Sequence, residues 1–344
     1  MLTLLAHAGD HPRHDAIAEL RLPPGVHAGH MLELDANDAP LDAPVPWQCD
    51  ADPDDASHRL LTFMLTGHTP AHTRRRYRVL PTADASAAEP PPLVTVDDDV
   101  PHQGQASLRI TTAHGVWLYH KAGAGFASLF DRHGRDWISY RPTGGAAGHY
   151  RGIPNLVHPE SYFHPGNTDC LSHLVTAGPL RAAIASRSGD GQWATRWDIF
   201  PAHARLTVLE APRPWWFLYE GTPAGALDEA GQRVLRSTGE LTSAGEKWAT
   251  SLPHPAWVAF IDPRAEHSLY LARHPRHANP EPVTDSYWPM EQAMTVFGFG
   301  RDGLEKSHQQ VPAQFSVGLI AASEPEPIEA AAVACLAPVT ATIA

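Results

Sequence analysis

Turn residues interrupt this chain at short, regular intervals, and that spacing limits the folds open to it. The 344 residues include 33 prolines and 26 glycines. The runs between them are rich in branched and aromatic residues, and several alternate in polarity; examples are SLRITTA, ARLTVLEA, WWFLYEG, HSLYLAR, MTVFGFG and QFSVGLIAA. Short strands with regular turn signals are typical of antiparallel sandwiches and barrels. Long apolar stripes of helical period are nearly absent, so the sequence predicts an all-β fold.

A change of composition along the chain predicts two parts. Residues 1–80 are interpreted as a small, sandwich-like β-domain. Residues 81–99 form a linker with a Pro90-Pro91-Pro92 run and three consecutive aspartates. Residues 100–344 are expected to form one large antiparallel β-sandwich with catalytic function. Near its end, SEPEPIEAAAVACLA places prolines in a first turn before a run of alanines, which predicts a short C-terminal helix.

The charge balance narrows the range of partners. With 38 acidic and 26 basic residues, the formal net charge is −12, and a field of that sign repels nucleic-acid phosphates and anionic membranes. No run reaches the roughly 18 apolar residues of a membrane-spanning helix. We therefore expect neither nucleic acid nor a membrane as partner, and the sequence does not indicate an oligomeric state. An anionic ligand has to be held by a local basic cluster.

The cysteines and the first residues give expectations about the compartment. Cys49, Cys170 and Cys335 are far apart, odd in number and without a CxxC pair, so the sequence predicts neither a disulfide framework nor a cysteine zinc site. The start, MLTLLAHAGDHPRHD, lacks the basic and apolar regions of a signal peptide. The expected location is the cytoplasm, although a leader already removed would leave no trace.

The densest group of reactive side chains lies in RGIPNLVHPESYFHPG, residues 151–166. In an extended strand, four of these side chains would occupy every second position and share one face, and two more precede them. The six residues are Arg151, Asn155, His158, Glu160, Tyr162 and His164. Such a set suits a metal site, an acid/base site for cleaving sugars, or a polar loop in which the histidines only form hydrogen bonds.

The strand pair in HGVWLYHKAGAGFASLFDRHGRDWISYRP, with the later strands WWFLYEGTPAG and MTVFGFG, carries a family resemblance. Over residues 95–322, this strand style and aromatic content resemble the galactose-mutarotase-like β-supersandwich of many carbohydrate-active enzymes. The preceding small domain resembles modules that come before such sandwiches. The resemblance implies a supersandwich fold and a glycan substrate; it does not assign the mutarotase histidine–glutamate pair to particular residues.

Ten tryptophans fit a sugar-binding protein, because flat aromatic faces pack against the apolar side of pyranose rings. Those inside apolar strands are predicted to pack in the core; they are Trp215, Trp216 and Trp257. Three others lie beside polar or turn residues and are predicted to line the sugar-binding cleft. These cleft candidates are Trp193, Trp197 and Trp288.

Elimination from a uronate-containing glycan is the reaction that the polar segment favours. It needs a cation or amide to neutralise the substrate carboxylate, a base for the adjacent proton and an acid for the glycosidic oxygen. Arg151 and Asn155 are assigned to the carboxylate. Proton transfer is assigned to His158, Tyr162 and His164. The sequence therefore predicts a polysaccharide or oligosaccharide lyase that needs no cofactor.

A glycoside hydrolase is the first alternative. It would use two opposed carboxylates, for which Glu220, at the end of the apolar strand WWFLYEG, and Asp198, in RWDIF, are the candidates. Glu220 is also a candidate for contacting the sugar. The alternative interpretation of Glu220 is a structural ion pair with an arginine such as Arg236.

A divalent metal ion is the alternative cofactor. His158, Glu160 and His164 would be its ligands, and His149 and His173 are further candidates. The same His158-x-Glu160 pattern with a distant histidine would suit an iron-dependent oxygenase. A glycan-binding protein without catalytic activity is the last alternative. Nucleotide-binding and serine-hydrolase motifs (GxGxxG, GxxxxGK[ST], GxSxG) are missing from the sequence.

Overall fold

The structure is a computed structural model that describes residues 2–80, 91–142, 151–158, 162–275, 283–290 and 293–344. Strands account for 55% of the residues and helices for 5%. The large antiparallel sheets, with a short α-helix near the C-terminus, confirm the predicted all-β class. The prediction succeeds because strand length and turn chemistry are local properties of the sequence.

The strands of the described residues are numbered in chain order. The first fourteen are β1 Leu2–His7, β2 Arg13–Leu22, β3 His30–Leu34, β4 Pro40–Pro44, β5 Trp47–Ala51, β6 Arg59–Thr69, β7 Arg74–Leu80, β8 Val94–His102, β9 Gln105–Thr112, β10 Gly115–His120, β11 Gly125–Phe130, β12 Gly152–Asn155, β13 Cys170–Ala177 and β14 Ala182–Ser188. The others are β15 Ala194–Ile199, β16 His203–Glu210, β17 Phe217–Gly221, β18 Arg233–Arg236, β19 Leu241–Ser243, β20 Trp248–Thr250, β21 Ala256–Asp262, β22 His267–Arg273, β23 Asp285–Met290, β24 Met294–Phe299, β25 Arg301–Asp302, β26 Glu305–Lys306, β27 Ala313–Ile320 and β28 Val339–Ile343. A 3₁₀ helix spans Pro223–Gly225, and the α-helix α1 spans Pro325–Leu336.

The chain divides into two compact units. Unit 1 contains residues 1–94, 176–181 and 337–344, and unit 2 contains residues 95–175 and 182–336. This division differs from the predicted boundaries at both ends of the larger part. Residues 95–99, interpreted as linker, belong to β8, and 337–344 belong to unit 1 because β28 pairs with strands from the start of the chain. The linker residues 81–90 lie outside the described residues.

Unit 1 is built on one eight-stranded sheet, sheet I, with the order β4-β3-β7-β1-β28-β2-β6-β5. β28 lies antiparallel to β1 and parallel to β2, so the last strand of the chain completes a sheet begun by the first. The apolar side chains of sheet I form one buried cluster that includes Leu4, Phe63 and Tyr77. Alternation along each strand places these side chains on one face of the sheet.

Unit 2 contains two nine-stranded sheets. Sheet II has the order β20-β23-β24-β17-β12-β11-β10-β9-β8, and sheet III has the order β13-β14-β15-β16-β27-β22-β21-β18-β19. Aromatic rings join the two sheets: Phe217 of β17 stacks on Phe315 of β27, with ring centroids 4.6 Å apart. Phe126 of β11 meets Trp197 of β15 edge-on at 4.8 Å. Sheets II and III therefore pack face to face as a sandwich.

Helix α1 packs on unit 2 through residues spaced four apart. Ile328, Ala332 and Leu336 are buried in one cluster with Trp257 and Tyr270, as expected of side chains on one helical face. Within the described part of the chain, no helix is long and apolar enough to cross a membrane.

Strand β17 connects the sandwich core to the face of sheet II that points away from it. Phe217 and Tyr219 point into the core, where they contact Phe315 and Phe260. Leu218 and Glu220 alternate with them and therefore lie on the opposite face. Glu220 is nevertheless only 6% exposed. A polar site on that face is thus backed by the rigid core.

The interlayer aromatic contacts predict a test of the sandwich. Phe315→Ala removes a ring stacked between the two sheets, and we expect it to lower the free energy of unfolding by about 3–5 kcal/mol. Leu304→Ala is the control, because Leu304 is 78% exposed and its loss should cost less than about 0.5 kcal/mol. Denaturant unfolding measures both, and equal effects would contradict the packing described here.

Candidate functional site

Three polar side chains meet on the outer face of sheet II. His164 Nε2 lies 3.2 Å from Glu220 Oε2, and Asn155 Nδ2 donates to the same oxygen at 3.0 Å. All three residues are at most 6% exposed. A buried carboxylate of this kind is stabilised by its hydrogen-bond donors. We call these three residues the triad.

The pairing of β12 with β17 brings Asn155 to Glu220. Gly152 lies opposite Glu220, and Asn155 lies opposite Leu218, with a register shift between them. Such a bulge turns side chains away from strict alternation. Asn155 uses both ends of its amide, because Oδ1 accepts the backbone N–H of His158 at 3.0 Å. In this structure the amide is therefore bound to Glu220 at one end and to the His158 backbone at the other.

Glycines make room for the loop that carries His164. A Cβ at Gly152 would lie 2.4 Å from Pro165 Cδ and 3.3 Å from His164 Nε2. At Gly125 it would lie 2.8 Å from Pro165 Cδ, and at Gly123 it would lie 2.6 Å from the backbone oxygen of His164. The loop therefore rests directly on sheet II, and this contact sets the position of the histidine.

Of the four alternating positions, the three that the structure describes (158, 162 and 164) do not lie on a strand. β12 ends at Asn155, and residues 162–164 form bends in which Phe163 has a positive φ of 49°. The prolines at 159 and 165 are the sequence signal for this break. His164 reaches the site through a loop, while Glu160 and His149 lie outside the described residues.

A second group of polar residues lies on neighbouring strands of the same sheet. His102 Nδ1 lies 3.1 Å from His120 Nε2, and His102 Nε2 lies 3.3 Å from Ser128 Oγ. The Tyr140 ring packs edge-on against His120, with centroids 4.9 Å apart. Burial, helped by the nearby His102 and His164, lowers the pKa of His120 to about 3. His120 is therefore neutral at physiological pH.

Tyr140 lies beside the loop that carries His164. A Cβ on Gly166 would be 2.5 Å from the Tyr140 hydroxyl, so the phenol packs against the loop two residues after the histidine. Burial raises the pKa of Tyr140, and the phenol is therefore protonated at neutral pH and able to donate a proton.

Arg301 and Trp288 lie on the other side of the triad. The Arg301 guanidinium stacks on the Trp288 ring at 4.2 Å from its centroid, and its Nη1 donates to Ser286 Oγ at 2.9 Å. Burial lowers the pKa of Arg301, and the Glu220 carboxylate opposes this effect. Trp288 is half-buried, which agrees with its predicted place in a cleft.

Arg151, His158 and Tyr162 are held by other groups. Arg151 is 5% exposed, and its Nη1 donates to the Ser139 backbone oxygen at 3.3 Å. The backbone N–H of His158 bonds to Asn155. Tyr162 interacts with Asp190, whose charge raises the pKa of the phenol. The role of Tyr162 in proton transfer, with His158 or His164, stays a prediction.

Two predicted cleft tryptophans are core residues. Trp193 is 1% exposed and Trp197 is 0% exposed. All six residues of β15 are buried, so Trp197 packs inside although polar residues flank it. The three tryptophans predicted to be buried have the expected burial; they are Trp215, Trp216 and Trp257.

The two carboxylates of the hydrolase alternative belong to different sheets. Asp198 lies on β15 of sheet III, is 0% exposed and accepts a hydrogen bond from Arg196 Nε at 3.1 Å. Glu220 lies on sheet II and is paired with His164 rather than with Arg236, which forms an ion pair with Glu240. A fully buried, ion-paired Asp198 does not suit a catalytic carboxylate that faces a sugar across from Glu220.

The metal ligands predicted from the sequence are only partly described. Among the described residues, no group of three or more His, Cys, Asp or Glu side chains has a metal-binding arrangement. His173, a further candidate ligand, is an exposed residue of β13. The metal and oxygenase hypotheses depend on Glu160, which lies outside the described residues, and they stay hypotheses.

A cavity of about 360 Å³ lies elsewhere in unit 2 and is lined in part by Arg273, His274 and Phe315. Its arginine is neutralised, because Nη1 of Arg273 donates to Asp285 at 2.6 Å. Burial lowers the pKa of His274 to about 4, and its Nε2 lies 2.8 Å from Ser316 Oγ. The polar groups of Arg273 and His274 are thus engaged by other groups of the protein.

Several residues of the site carry no local signal in the sequence. Arg301 and His102 are separated from the 151–166 segment by long stretches of chain, and only the pairing of strands brings them near it. The Gly123-x-Gly125 spacing was an available signal, since glycine within a strand often marks the close approach of another part of the backbone.

No family model matches the chain, and no curated protein matches it. Solved structures match at low identity. HI1317 is 11% identical, with 67% of this chain and 96% of that chain covered and a TM-score of 0.46. The YidC insertase is 10% identical, with 67% and 40% covered and a TM-score of 0.35. The Slr1438 protein from Synechocystis sp. PCC 6803 is 12% identical, with 70% and 99% covered and a TM-score of 0.26. At these scores the matches assign no activity.

The glycine contact predicts how the triad can be disturbed without changing its members. Gly152→Ala puts a methyl group against Pro165 and the His164 ring, so we expect a loss of about 1–3 kcal/mol in the free energy of unfolding. The NMR signals of the His164 ring should also shift. Gly245→Ala is the control, since its Cβ would meet Glu229 at 3.1 Å. Unchanged His164 signals in Gly152→Ala would contradict the contact.

Burial of His120 predicts a loss of stability in acid. Its native pKa of about 3 lies below the ordinary value of 6.5, so the unfolded chain binds the proton first and the free energy of unfolding falls as the pH drops below about 6.5. From neutral pH to pH 5 this residue should account for about 2 kcal/mol. In His120→Gln the fall over that range should be smaller by this amount, as measured by denaturant unfolding; an identical pH dependence would contradict the assignment.

Proposed function

We propose that this chain is a carbohydrate-active enzyme that cleaves a uronate-containing glycan by β-elimination, with the triad as its base. The observation that carries the proposal is the direct contact between His164 and Glu220 at 3.2 Å. A carboxylate beside a histidine ring orients the ring and stabilises the positive charge that the ring gains when it takes a proton. The pair then acts as one base, rather than as two separate groups on either side of a bond.

The reaction follows from that base. We propose that His164 removes the proton on the carbon next to the uronate carboxylate. The electron pair forms a carbon–carbon double bond as the bond from the neighbouring carbon to the glycosidic oxygen breaks. That oxygen takes a proton, and Tyr140 is the proposed donor because it is protonated at neutral pH and lies against the His164 loop. Glu220 stabilises the imidazolium that forms, and Asn155 holds Glu220.

The direct contact favours elimination over hydrolysis. Hydrolysis by two carboxylates requires them about 5–10 Å apart across the scissile bond, and Asp198 lies buried on the other sheet. Glu220 is bound to a histidine instead. A carboxylate in contact with a histidine is better placed to support that histidine as a base than to donate a proton on its own.

Proton transfer at the anomeric centre of a sugar is the second candidate. His164, in contact with Glu220 at 3.2 Å, could also serve as a base there. Interconversion of anomers needs a base for the anomeric hydroxyl and an acid for the ring oxygen. We place it second because a single base in direct contact with its carboxylate serves elimination more directly.

A panel of acidic and neutral glycans tests the proposal. Ultraviolet absorbance of an unsaturated uronate and new reducing ends should rise together with one of the acidic glycans. His164→Ala should lower this rate by about 10²–10⁴, the usual effect of removing a catalytic base. Glu220→Gln and Tyr140→Phe should also lower it, while His173→Ala, at an exposed position on β13, should not.

Other outcomes point to other functions. Reducing ends without absorbance mean hydrolysis. A change in optical rotation of a free sugar without bond cleavage means interconversion of anomers. Elimination that persists at the wild-type rate in His164→Ala contradicts the proposed base.

A further inference from the structure

Arg301 is a nearly buried cation whose contacts are with neutral groups. It is 5% exposed. One of its amino groups donates to the Ser286 hydroxyl at 2.9 Å, and the guanidinium plane covers the Trp288 ring. Ring stacking and a single hydroxyl satisfy only part of a group that carries five N–H donors.

Two other arginines of unit 2, one half-buried and one buried, donate to a carboxylate. Arg273 donates to Asp285 at 2.6 Å, and Arg196 donates to Asp198 at 3.1 Å. Among the residues that the structure describes, Arg301 forms no ion pair with a carboxylate. The Glu220 carboxylate raises the pKa of Arg301 through its charge, and its Oε2 atom contacts His164 and Asn155. A buried charge without a counter-charge is costly, so this position suits an anion supplied from outside.

We propose that Arg301 binds the carboxylate of an acidic sugar and thereby selects uronates over neutral hexoses at the triad. The proposal rests on the proposed function, since it concerns the substrate of the same site. The planar guanidinium matches a carboxylate with two parallel hydrogen bonds. The half-buried Trp288 supplies apolar surface for a sugar ring beside it.

This assignment places the substrate carboxylate on Arg301 instead of on Arg151 and Asn155, the residues predicted from the sequence. Asn155 is bound to Glu220 at one end and to the His158 backbone at the other. Arg151 donates to the Ser139 backbone oxygen. Arg301 has an additional chemical consequence, because a cation on the carboxylate makes the neighbouring C–H more acidic and so helps the base.

Calorimetric titration with glucuronate, galacturonate, mannuronate and guluronate, each beside its neutral hexose, tests the assignment. We expect the wild-type protein to bind at least one uronate more tightly than the matching hexose. Arg301→Gln should weaken the binding of that uronate by about 10–100-fold, the usual range for a lost hydrogen bond to a charged group. The affinity for the matching hexose should change by less than about 3-fold. Arg301→Lys should retain part of the preference, because it keeps the charge and loses the planar fork.

Two control variants make the result specific. Arg187→Gln removes a positive charge from an exposed ion pair with Glu210 and should leave the preference unchanged. Arg151→Gln should also leave most of it. The assignment is overturned if Arg301→Gln keeps the wild-type preference, if Arg151→Gln abolishes it, or if no uronate is preferred, whether both sugars bind or neither does.

The same variants separate this inference from the proposed reaction. His164→Ala and Glu220→Gln should keep the uronate preference while losing elimination, because they leave Arg301 in place. Loss of the preference in Arg301→Gln without any elimination activity in the wild type would support the carboxylate site and contradict the lyase. Thermal melting of each variant shows whether it is folded. If Arg301→Gln does not fold, Arg301→Lys takes its place in the test.

Discussion

The burial of the Glu220 carboxylate is the constraint on which the rest of the site depends. The residue ends a strand whose alternate side chains fill the aromatic core between the two sheets of unit 2. Glu220 therefore has little freedom to move towards water, and its charge has to be balanced where it is. Asn155 and His164 provide that balance. The bulge in β12 positions the asparagine, and glycines beneath the loop allow the close approach that positions the histidine.

Polar residues extend across the face of sheet II on both sides of that carboxylate. On one side lie His102, His120 and Tyr140. Burial lowers the pKa of both histidines and raises the pKa of the tyrosine, so all three are uncharged at physiological pH. On the other side lie Arg301 and Trp288. A ligand on this face would meet uncharged groups at one end and a cation with an aromatic ring at the other. This polarity suits a sugar that carries a single acidic group.

The sequence predicts the strand content well because the signals are local. Turn residues and branched or aromatic runs define each strand without reference to its neighbours. The same approach identifies His164, Asn155 and Glu220 as functional candidates, since residues 151–166 are dense in reactive side chains and Glu220 follows an apolar run. It fails for Trp193 and Trp197 because their surroundings depend on strands distant in sequence. Both side chains are buried, and Trp197 lies on a strand that is buried throughout.

Strand pairing brings together site residues that are distant in sequence, and no local motif could show this. The contact of Glu220 with Asn155 requires β12 and β17 to be neighbours in one register. Arg301 and His102 come from widely separated parts of the chain and reach the same sheet only through its topology. The placement of residues 337–344 in unit 1 has the same origin, because β28 fills a gap between strands formed at the start of the chain.

A crystal structure of the Glu220→Gln variant soaked with a uronate-containing oligosaccharide tests the central claim most directly. The account predicts a sugar on the outer face of sheet II, with its carboxylate on Arg301 and the carbon next to that carboxylate turned towards His164. Trp288 would lie against the adjacent ring. A sugar bound instead in the cavity beside Arg273 and His274, with sheet II left unoccupied, would contradict it.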